Sequence, residues 1–255
     1  MGLSILVAQT CGGLVAGALR ATREWDRFIA MVATLGFKPF DFEVFKIDDF
    51  GVRMEKIYEH VRPKLTRIGI ALAPELSRKL GLEFFPHVAK HMRRRINPPP
   101  ETWVAFGPSP RGYKRYCYLA LCISGAGLHA RAVVKAEADS RAEMARRLKA
   151  SSAKLVKNFA GTKIARYEKW DFERLPAPAL ADPELFVSIA ETLRKKTGWI
   201  DLGFGWNIRE SLKLEGGELI EALHELEPLY RILVADFAYG RLKTSELQSP
   251  ASERR

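Results

Sequence analysis

Residues 116–136 of the chain read YCYLALCISGAGLHARAVVKA, and this stretch decides the expected fold. It contains two apolar runs, at 116–124 and 128–136, that are rich in residues favouring β-strands. The tripeptide Gly-Ala-Gly at 125–127 separates them, and a short glycine-containing connection of this kind is typical of a hairpin. The stretch therefore predicts two antiparallel strands joined by a tight turn.

Further strands are predicted on both sides of this hairpin. Thr102–Phe106 precedes it, and Lys163–Lys169 and Trp199–Ile208 follow it. Near the start of the chain, the segment FEVFKID at Phe42–Asp48 alternates well enough to predict a short strand or an extended lead-in.

The strongest helical pattern runs from Met54 to Leu76, where apolar residues recur at spacings of three and four. Pro63 and Pro74 lie inside this apolar stripe. Since proline cannot donate the backbone hydrogen bond of a helix interior, we expect a kink or two helices in series.

Capping signals predict two helices after the hairpin. Ser140 followed by Glu143 is the pattern of a capping box and predicts a helix start. Asp182 as N-cap with Pro183 in the first turn predicts the next helix, which Gly198 would close.

A last helix is expected from Leu219 to Leu233, bent at Pro228. A hairpin and further strands together with separate helices favour the α+β class, with a mainly antiparallel sheet in a single domain.

We expect that single domain to span residues 37–240. Residues 1–36 are interpreted as an N-terminal extension or as the result of a misplaced start, for which Met31 is the candidate start. The uncharged stretch 1–19 has no preceding basic region, as a signal peptide would, and is too polar and glycine-rich for a spanning helix. Residues 241–255 are expected to be a frayed tail.

The charge of the chain favours anionic partners. Among 255 residues, Lys and Arg number 41 and Asp and Glu number 30, so the formal net charge is +11. Nucleic acid, an anionic membrane surface or a phosphorylated small molecule would match this charge. The three cysteines, Cys11, Cys117 and Cys122, form no disulfide pattern. A reducing cytoplasm is therefore the expected location, without stable membrane insertion.

Most of the excess positive charge lies in one stretch, FFPHVAKHMRRRINPPPETWVAFGPSPRGYKR at residues 84–115. From 85 to 115 it carries seven basic residues and one acid, with aromatic residues interleaved. Cations can hold phosphates while rings stack on bases. The alternative is that the arginines pair with internal carboxylates and only fix a loop. The predicted ligand-binding residues are Lys90, Arg93, Arg95, Asn97, Trp103, Arg111, Tyr113 and Lys114.

His87 and His91 are the candidate catalytic residues. A helical turn is expected over His87–Arg95, and a spacing of four places both imidazoles on one helical face. They would serve as general acid or base, or as neutral hydrogen-bonding groups. No metal site is predicted, because the glutamate of a HExxH motif is missing and nearby cations would repel a metal ion. The sequence also lacks a phosphate-binding loop and a dinucleotide fingerprint, so no cofactor is predicted.

The stretch at 84–115 resembles the signature of the YktB family of bacterial proteins. The segments DFEVFKID at 41–48, VRPKL at 61–65 and EPLY at 227–230 are similar to other parts of that family. The resemblance covers about residues 38–232. It implies a compact bacterial, cytoplasmic α+β domain that begins near Phe37, and it implies no activity.

Three functions remain open from the sequence. The leading hypothesis is a binding module that holds a phosphate-bearing ligand or nucleic acid through the basic and aromatic residues. The first alternative is an enzyme for an anionic or phosphorylated substrate, with His87 or His91 as general acid or base. The second alternative is a structural or protein-interaction domain.

Overall fold

A computed structural model describes residues 34–92 and 94–234. The described chain begins with helix α1, Pro39–Glu43, followed by a 3₁₀ turn, Val44–Lys46. The strand predicted over Phe42–Asp48 is therefore wrong. Pro39 is preorganised for a first helical turn, and the Asp41 carboxylate accepts the Lys38 backbone N–H at 2.6 Å.

The predicted helices in series are confirmed. Helix α2, Phe50–Lys56, leads through one π-helical turn, Ile57–Val61, into helix α3, Arg62–Leu80. The π turn lies directly before Pro63, which cannot donate a backbone hydrogen bond. Pro74 lies inside α3 without ending it.

The strands form one open antiparallel sheet in the order β1-β2-β3-β4-β7-β5-β6. The predicted hairpin is confirmed, with Ser124 paired to Gly127 at its turn. The expected α+β class with a single domain is confirmed as well. The strands are β1 Phe85–Val88, β2 Glu101–Gly107, β3 Cys117–Ser124, β4 Gly127–Val134, β5 Lys163–Arg166, β6 Ala179–Leu180 and β7 Ile200–Asn207.

The remaining helices follow the hairpin, and several of them pack with α3 on the sheet. The last predicted helix is in fact two helices, since the helical hydrogen bonding is interrupted at Leu226, two residues before Pro228. These helices are α4 Arg141–Ala150, α5 Ser152–Asn158, α6 Pro183–Arg194, α7 Ile208–Ser211, α8 Gly216–Glu225 and α9 Glu227–Val234.

The helix start predicted at Ser140 is confirmed, because α4 begins at Arg141 with Ser140 as its N-cap residue, but the predicted capping box is wrong. Ser140 adopts a left-handed conformation with φ of 56° and makes no side-chain cap, while Glu143 pairs with Arg146 at 2.5 Å. The predicted end of the next helix is also wrong. Helix α6 ends before Gly198, whose N–H donates to the Lys195 carbonyl in the following turn. The N-cap at Asp182 is confirmed, because its carboxylate accepts the Leu185 N–H at 2.7 Å.

The two faces of the sheet are covered differently. Alternate residues of each strand point to opposite faces of the sheet. On one face, Val104, Leu121 and Leu202 pack with the helices in the main core. We call the opposite side the loop face, because loops 108–116 and 167–178 contact it through Tyr113 and Tyr167. The loop face carries the side chains of Glu101, Trp103, Cys122, His129, Arg131 and Asp201.

None of the helices within the described ranges combines the length and the apolar character that crossing a membrane requires.

Candidate functional site

The two candidate histidines do not share a helix. His87 lies in edge strand β1, where its Nε2 donates to the Ser109 carbonyl at 2.8 Å. His91 follows the strand with φ of 51°, and its Nε2 makes a 3.0 Å hydrogen bond with Thr102 Oγ1. The helical turn predicted over His87–Arg95 is therefore wrong, because pairing with β2 holds the first residues in an extended conformation.

Four half-buried rings nevertheless come together at this edge of the loop face. His91 meets Trp103 edge to face with centroids 5.4 Å apart, and Trp103 Nε1 donates to Tyr113 Oη at 3.1 Å. The His87 ring lies 5.4 Å from the Tyr113 ring. We call these four residues the aromatic strip. The aromatic strip contains both candidate catalytic histidines and both aromatic residues predicted to bind a ligand.

Exposed cations lie in the same segments of the chain as the aromatic strip. Neither Lys90 nor Arg95 makes an ion pair with any residue that the structure describes, and Lys114 lies 3.8 Å from Glu137. The Arg94 guanidinium donates to the Asn97 carbonyl at 3.3 Å. In the same stretch Arg115 pairs with Asp139 at 2.6 Å, so carboxylates hold some of these cations but not Lys90 or Arg95 among the described residues.

Two further predicted residues lie at the margin of this region. Arg111 and Asn97 are exposed, and the Arg111 backbone N–H donates to Ser109 Oγ at 3.3 Å. Arg93 lies outside the described residues.

Lys135 belongs to this region although no pattern in the sequence singles it out. Its Nζ lies 5.9 Å from the centroid of the Trp103 ring and 4.2 Å from that of Trp199. Lys135 follows the last residue of β4, and only the pairing of the strands brings it near Trp103. We call the aromatic strip with Lys90, Arg94, Arg95, Lys114 and Lys135 the basic aromatic surface.

The electrostatics of this surface keep His91 neutral. Burial lowers the pKa of His91 to about 4, and the charges of Arg94, Lys114 and Arg62 act in the same direction. At neutral pH the ring is therefore uncharged, and its unprotonated nitrogen can accept a hydrogen bond. Burial also raises the pKa of Tyr113 to about 12, so its hydroxyl remains protonated.

A buried polar cluster lies beside this surface on the loop face. Arg131 is 1% exposed, and its Nη1 lies 2.9 Å from Asp201 Oδ2, while Nη2 pairs with Glu101. Burial raises the pKa of Asp201 to about 6, even though the Arg131 charge acts to lower it. Burial also acts to lower the pKa of Arg131, but Asp201 and Glu101 outweigh it and keep the guanidinium charged.

Three rings cover this ion pair. Those of His129, Tyr167 and Trp170 lie 5.0 to 5.3 Å from one another, all edge to face. The Arg131 guanidinium carbon lies 4.4 Å from the centroid of Tyr167 and 5.7 Å from that of Trp170. Together with Glu101 and Asp201 these residues form what we call the Arg131 cluster.

The Arg131 cluster was not predicted from the sequence, although one signal was present. His129 and Arg131 occupy alternate positions in the apolar run LHARAVV, which places two polar side chains on one face of a strand. Within residues 34–92 and 94–234, no group of three or more His, Cys, Asp or Glu side chains is arranged to hold a metal ion.

Comparison with known protein families matches residues 37–230 to the family described as "Domain of unknown function (DUF1054)". A UPF0637 protein of Lysinibacillus sphaericus is 46% identical over 108 residues, which are 42% of this chain and 51% of that protein. A UPF0637 protein of Bacillus velezensis is 36% identical over 161 residues, 60% of this chain and 77% of that protein. The match thus spans about half of the first relative and about three quarters of the second.

Proposed function

The chain belongs to the DUF1054 family, whose function is unknown, and we propose that it is a binding module for a phosphate-bearing ligand. Single-stranded nucleic acid is the form of ligand that the basic aromatic surface favours. The family membership confirms the resemblance to the YktB family, because the relatives are UPF0637 proteins.

One observation carries the proposal: the half-buried Trp103 ring lies among cations of the same surface. Lys135 Nζ approaches this ring, while Lys90 and Arg95 are exposed without an ion pair in the described residues. Cations without a carboxylate partner are available to phosphates. Aromatic rings beside them can stack on bases irrespective of sequence.

Single strands match this surface better than a duplex does. The rings lie on strands β1 and β2 and in the segments that follow them, and none of these rings belongs to a helix that could enter a groove. Stacking requires unpaired bases, which a single strand offers.

The location is part of the same proposal. Cys117 and Cys122 are buried free thiols, and burial raises the pKa of both. Such thiols are compatible with a reducing compartment, which supports the proposal of a cytoplasmic location.

Binding of the full chain to fluorescent single-stranded DNA and RNA, duplex DNA and nucleoside monophosphates, across a salt series, tests this function. We expect single strands to bind most tightly, with the logarithm of the binding constant falling linearly with the logarithm of salt concentration. The slope gives the number of phosphates contacted, at about 0.7 per phosphate on single strands. Failure to bind any of these probes, or binding that salt does not weaken, would contradict the proposal.

A further inference from the structure

The Arg131 cluster contains buried polar atoms that have no hydrogen-bond partner among the described residues. Nearly all buried polar atoms in folded proteins are partnered, so several orphans in one place require an explanation. These atoms are His129 Nδ1, Arg131 Nε, Tyr167 Oη, Trp170 Nε1 and Asp201 Oδ1.

Two of these atoms lie close to Gly205. A Cβ added to Gly205 would lie 2.4 Å from Tyr167 Oη and 3.5 Å from His129 Nδ1, so the hydroxyl takes the place that a side chain would need. Gly205 itself is exposed, so these two atoms lie near the protein surface.

The loop that carries Trp170 has the construction of a lid. Strand β6 pairs with β5, with Lys163 opposite Leu180, and so closes the base of loop 167–178. Lys169 and Phe172, which flank Trp170, have φ of 87° and 66°. Positive φ in residues other than glycine is unfavourable and recurs at ligand clamps and switch regions. Trp170 is only partly buried, so movement of its loop would open the cluster from one side.

The charges of the cluster select a neutral ligand. Arg131 faces the carboxylates of Asp201 and Glu101, and the charge of Lys135 also acts on Asp201. Two cations thus balance two carboxylates, and a charged ligand would bring a buried charge without a counterion.

The orphan atoms and the rings define the shape and chemistry of that ligand. Arg131 Nε, Trp170 Nε1 and Tyr167 Oη are donors, while Asp201 Oδ1 is an acceptor. The His129 ring stays neutral because burial lowers its pKa well below the ordinary value, so Nδ1 adds one more donor or acceptor. Rings on several sides favour a flat molecule with an apolar face.

We propose that the Arg131 cluster binds an uncharged, planar nitrogen heterocycle of the nucleobase type, with residues 167–178 as the lid. Such a molecule carries both donors and acceptors on its edge, and the unpartnered atoms of the cluster include both kinds. Nothing in this site requires a phosphate, so the inference is independent of the proposed function of the basic aromatic surface.

Titration calorimetry of the full chain with adenosine, guanosine, cytidine and uridine tests the site, because these nucleosides carry no phosphate. We expect at least one to bind with a Kd below about 1 mM. Tyr167→Phe and Trp170→Phe should each weaken binding by about tenfold, since each removes one donor to the ligand. Tyr167→Phe should keep or raise the melting temperature, because it removes a buried hydroxyl that has no partner in the described protein and leaves the ring in place.

Tyr230→Phe is the matched control, because Tyr230 is equally buried but lies in the main core on the opposite side of the sheet. It should leave nucleoside affinity unchanged. Circular dichroism identifies any variant that fails to fold. If one of Tyr167→Phe and Trp170→Phe does not fold, the nucleoside affinity of the other tests the site. The inference is overturned if no nucleoside binds, if both Phe variants bind like the unaltered protein, or if monophosphates bind while nucleosides do not. The last result would leave the phosphate-binding proposal standing.

Discussion

Arg131 and Asp201 form an ion pair across adjacent strands β4 and β7, with 2.9 Å between Nη1 and Oδ2 and side chains only 1% and 2% exposed. The other arm of the guanidinium binds Glu101 on β2, so one side chain joins three strands. Because the pair is enclosed, its charges are not screened by water as those of a surface ion pair are. Loss of one partner leaves the other charged group without compensation.

We expect Arg131→Met to lower the free energy of unfolding by about 3–5 kcal/mol, since it leaves two carboxylates buried without their counterion. Urea denaturation at pH 7 measures this loss. Arg146→Met is the control, because Arg146 is 69% exposed and pairs with Glu143 on the surface. The control should cost less than about 1 kcal/mol. If both variants lost the same free energy of unfolding, the buried ion pair would contribute no more to stability than a surface ion pair.

The depressed pKa of His91 predicts a dependence of stability on pH. The ring titrates at about 4 in the folded protein and at 6.5 when unperturbed, so between these values the unfolded chain binds more protons. The contribution of His91 is therefore fully present above pH 6.5 and is lost as the pH falls towards 4. It amounts to as much as about 3 kcal/mol.

A comparison with His91→Gln isolates this contribution. His129, whose pKa is also lowered, changes stability in the same direction, while Asp201, whose pKa is raised to about 6, opposes it. Both remain in the variant, so they cancel in the difference. Urea denaturation at pH 7, 5.5 and 4 should show a smaller loss for His91→Gln than for the unaltered protein. Parallel pH profiles would be incompatible with a neutral, desolvated His91.

The sequence was sufficient for those elements whose signal is local. The hairpin at 116–136 follows from two apolar runs and a glycine turn, and Asp182 followed by Pro183 marks the start of α6. The segment 42–48 was misleading because Phe42, Val44 and Phe45 are all buried. The spacing of two between Phe42 and Val44 fits a strand, and the spacing of three between Phe42 and Phe45 fits a helix equally well. Pro39 before it was the better signal.

The basic aromatic surface was partly predictable because its cations are close together in the sequence. The Arg131 cluster was not, since Arg131 lies 30 positions from Glu101 and 70 from Asp201. Only the register of β2, β3, β4 and β7 brings these three side chains to the same place. Patterns within one segment carry no information about such pairings.

The lid loop stores backbone strain that glycine would remove. Lys169 is exposed with φ of 87°, a conformation that glycine adopts freely. We expect Lys169→Gly to raise the free energy of unfolding by about 1 kcal/mol and the melting temperature by about 2–4 °C. Lys163→Gly, in strand β5, is the control and should destabilise by about 0.5–1 kcal/mol. A lower melting temperature for Lys169→Gly would mean that this conformation stores no strain.

The exposed cations of the basic aromatic surface predict how nucleic-acid binding changes on mutation. We expect the double variant Lys90→Gln, Arg95→Gln to reduce the salt slope for single-stranded DNA by about 1.4, because two phosphate contacts at about 0.7 each are lost. Its affinity at low salt should fall accordingly. Fluorescence anisotropy across a salt series, with oligonucleotides of fixed length, measures both effects.

The matched control for this double variant is Lys157→Gln, Lys163→Gln, which removes the same charge from exposed positions on α5 and on β5. Strand β5 lies towards the edge of the sheet opposite β1, so these two lysines are remote from the aromatic strip. A strand of nucleic acid bound across Trp103 would contact the first pair and not the second, and the control slope should then stay close to that of the unaltered protein. If both double variants reduce the slope equally, binding follows the net charge of the chain, and the aromatic strip does not define a site.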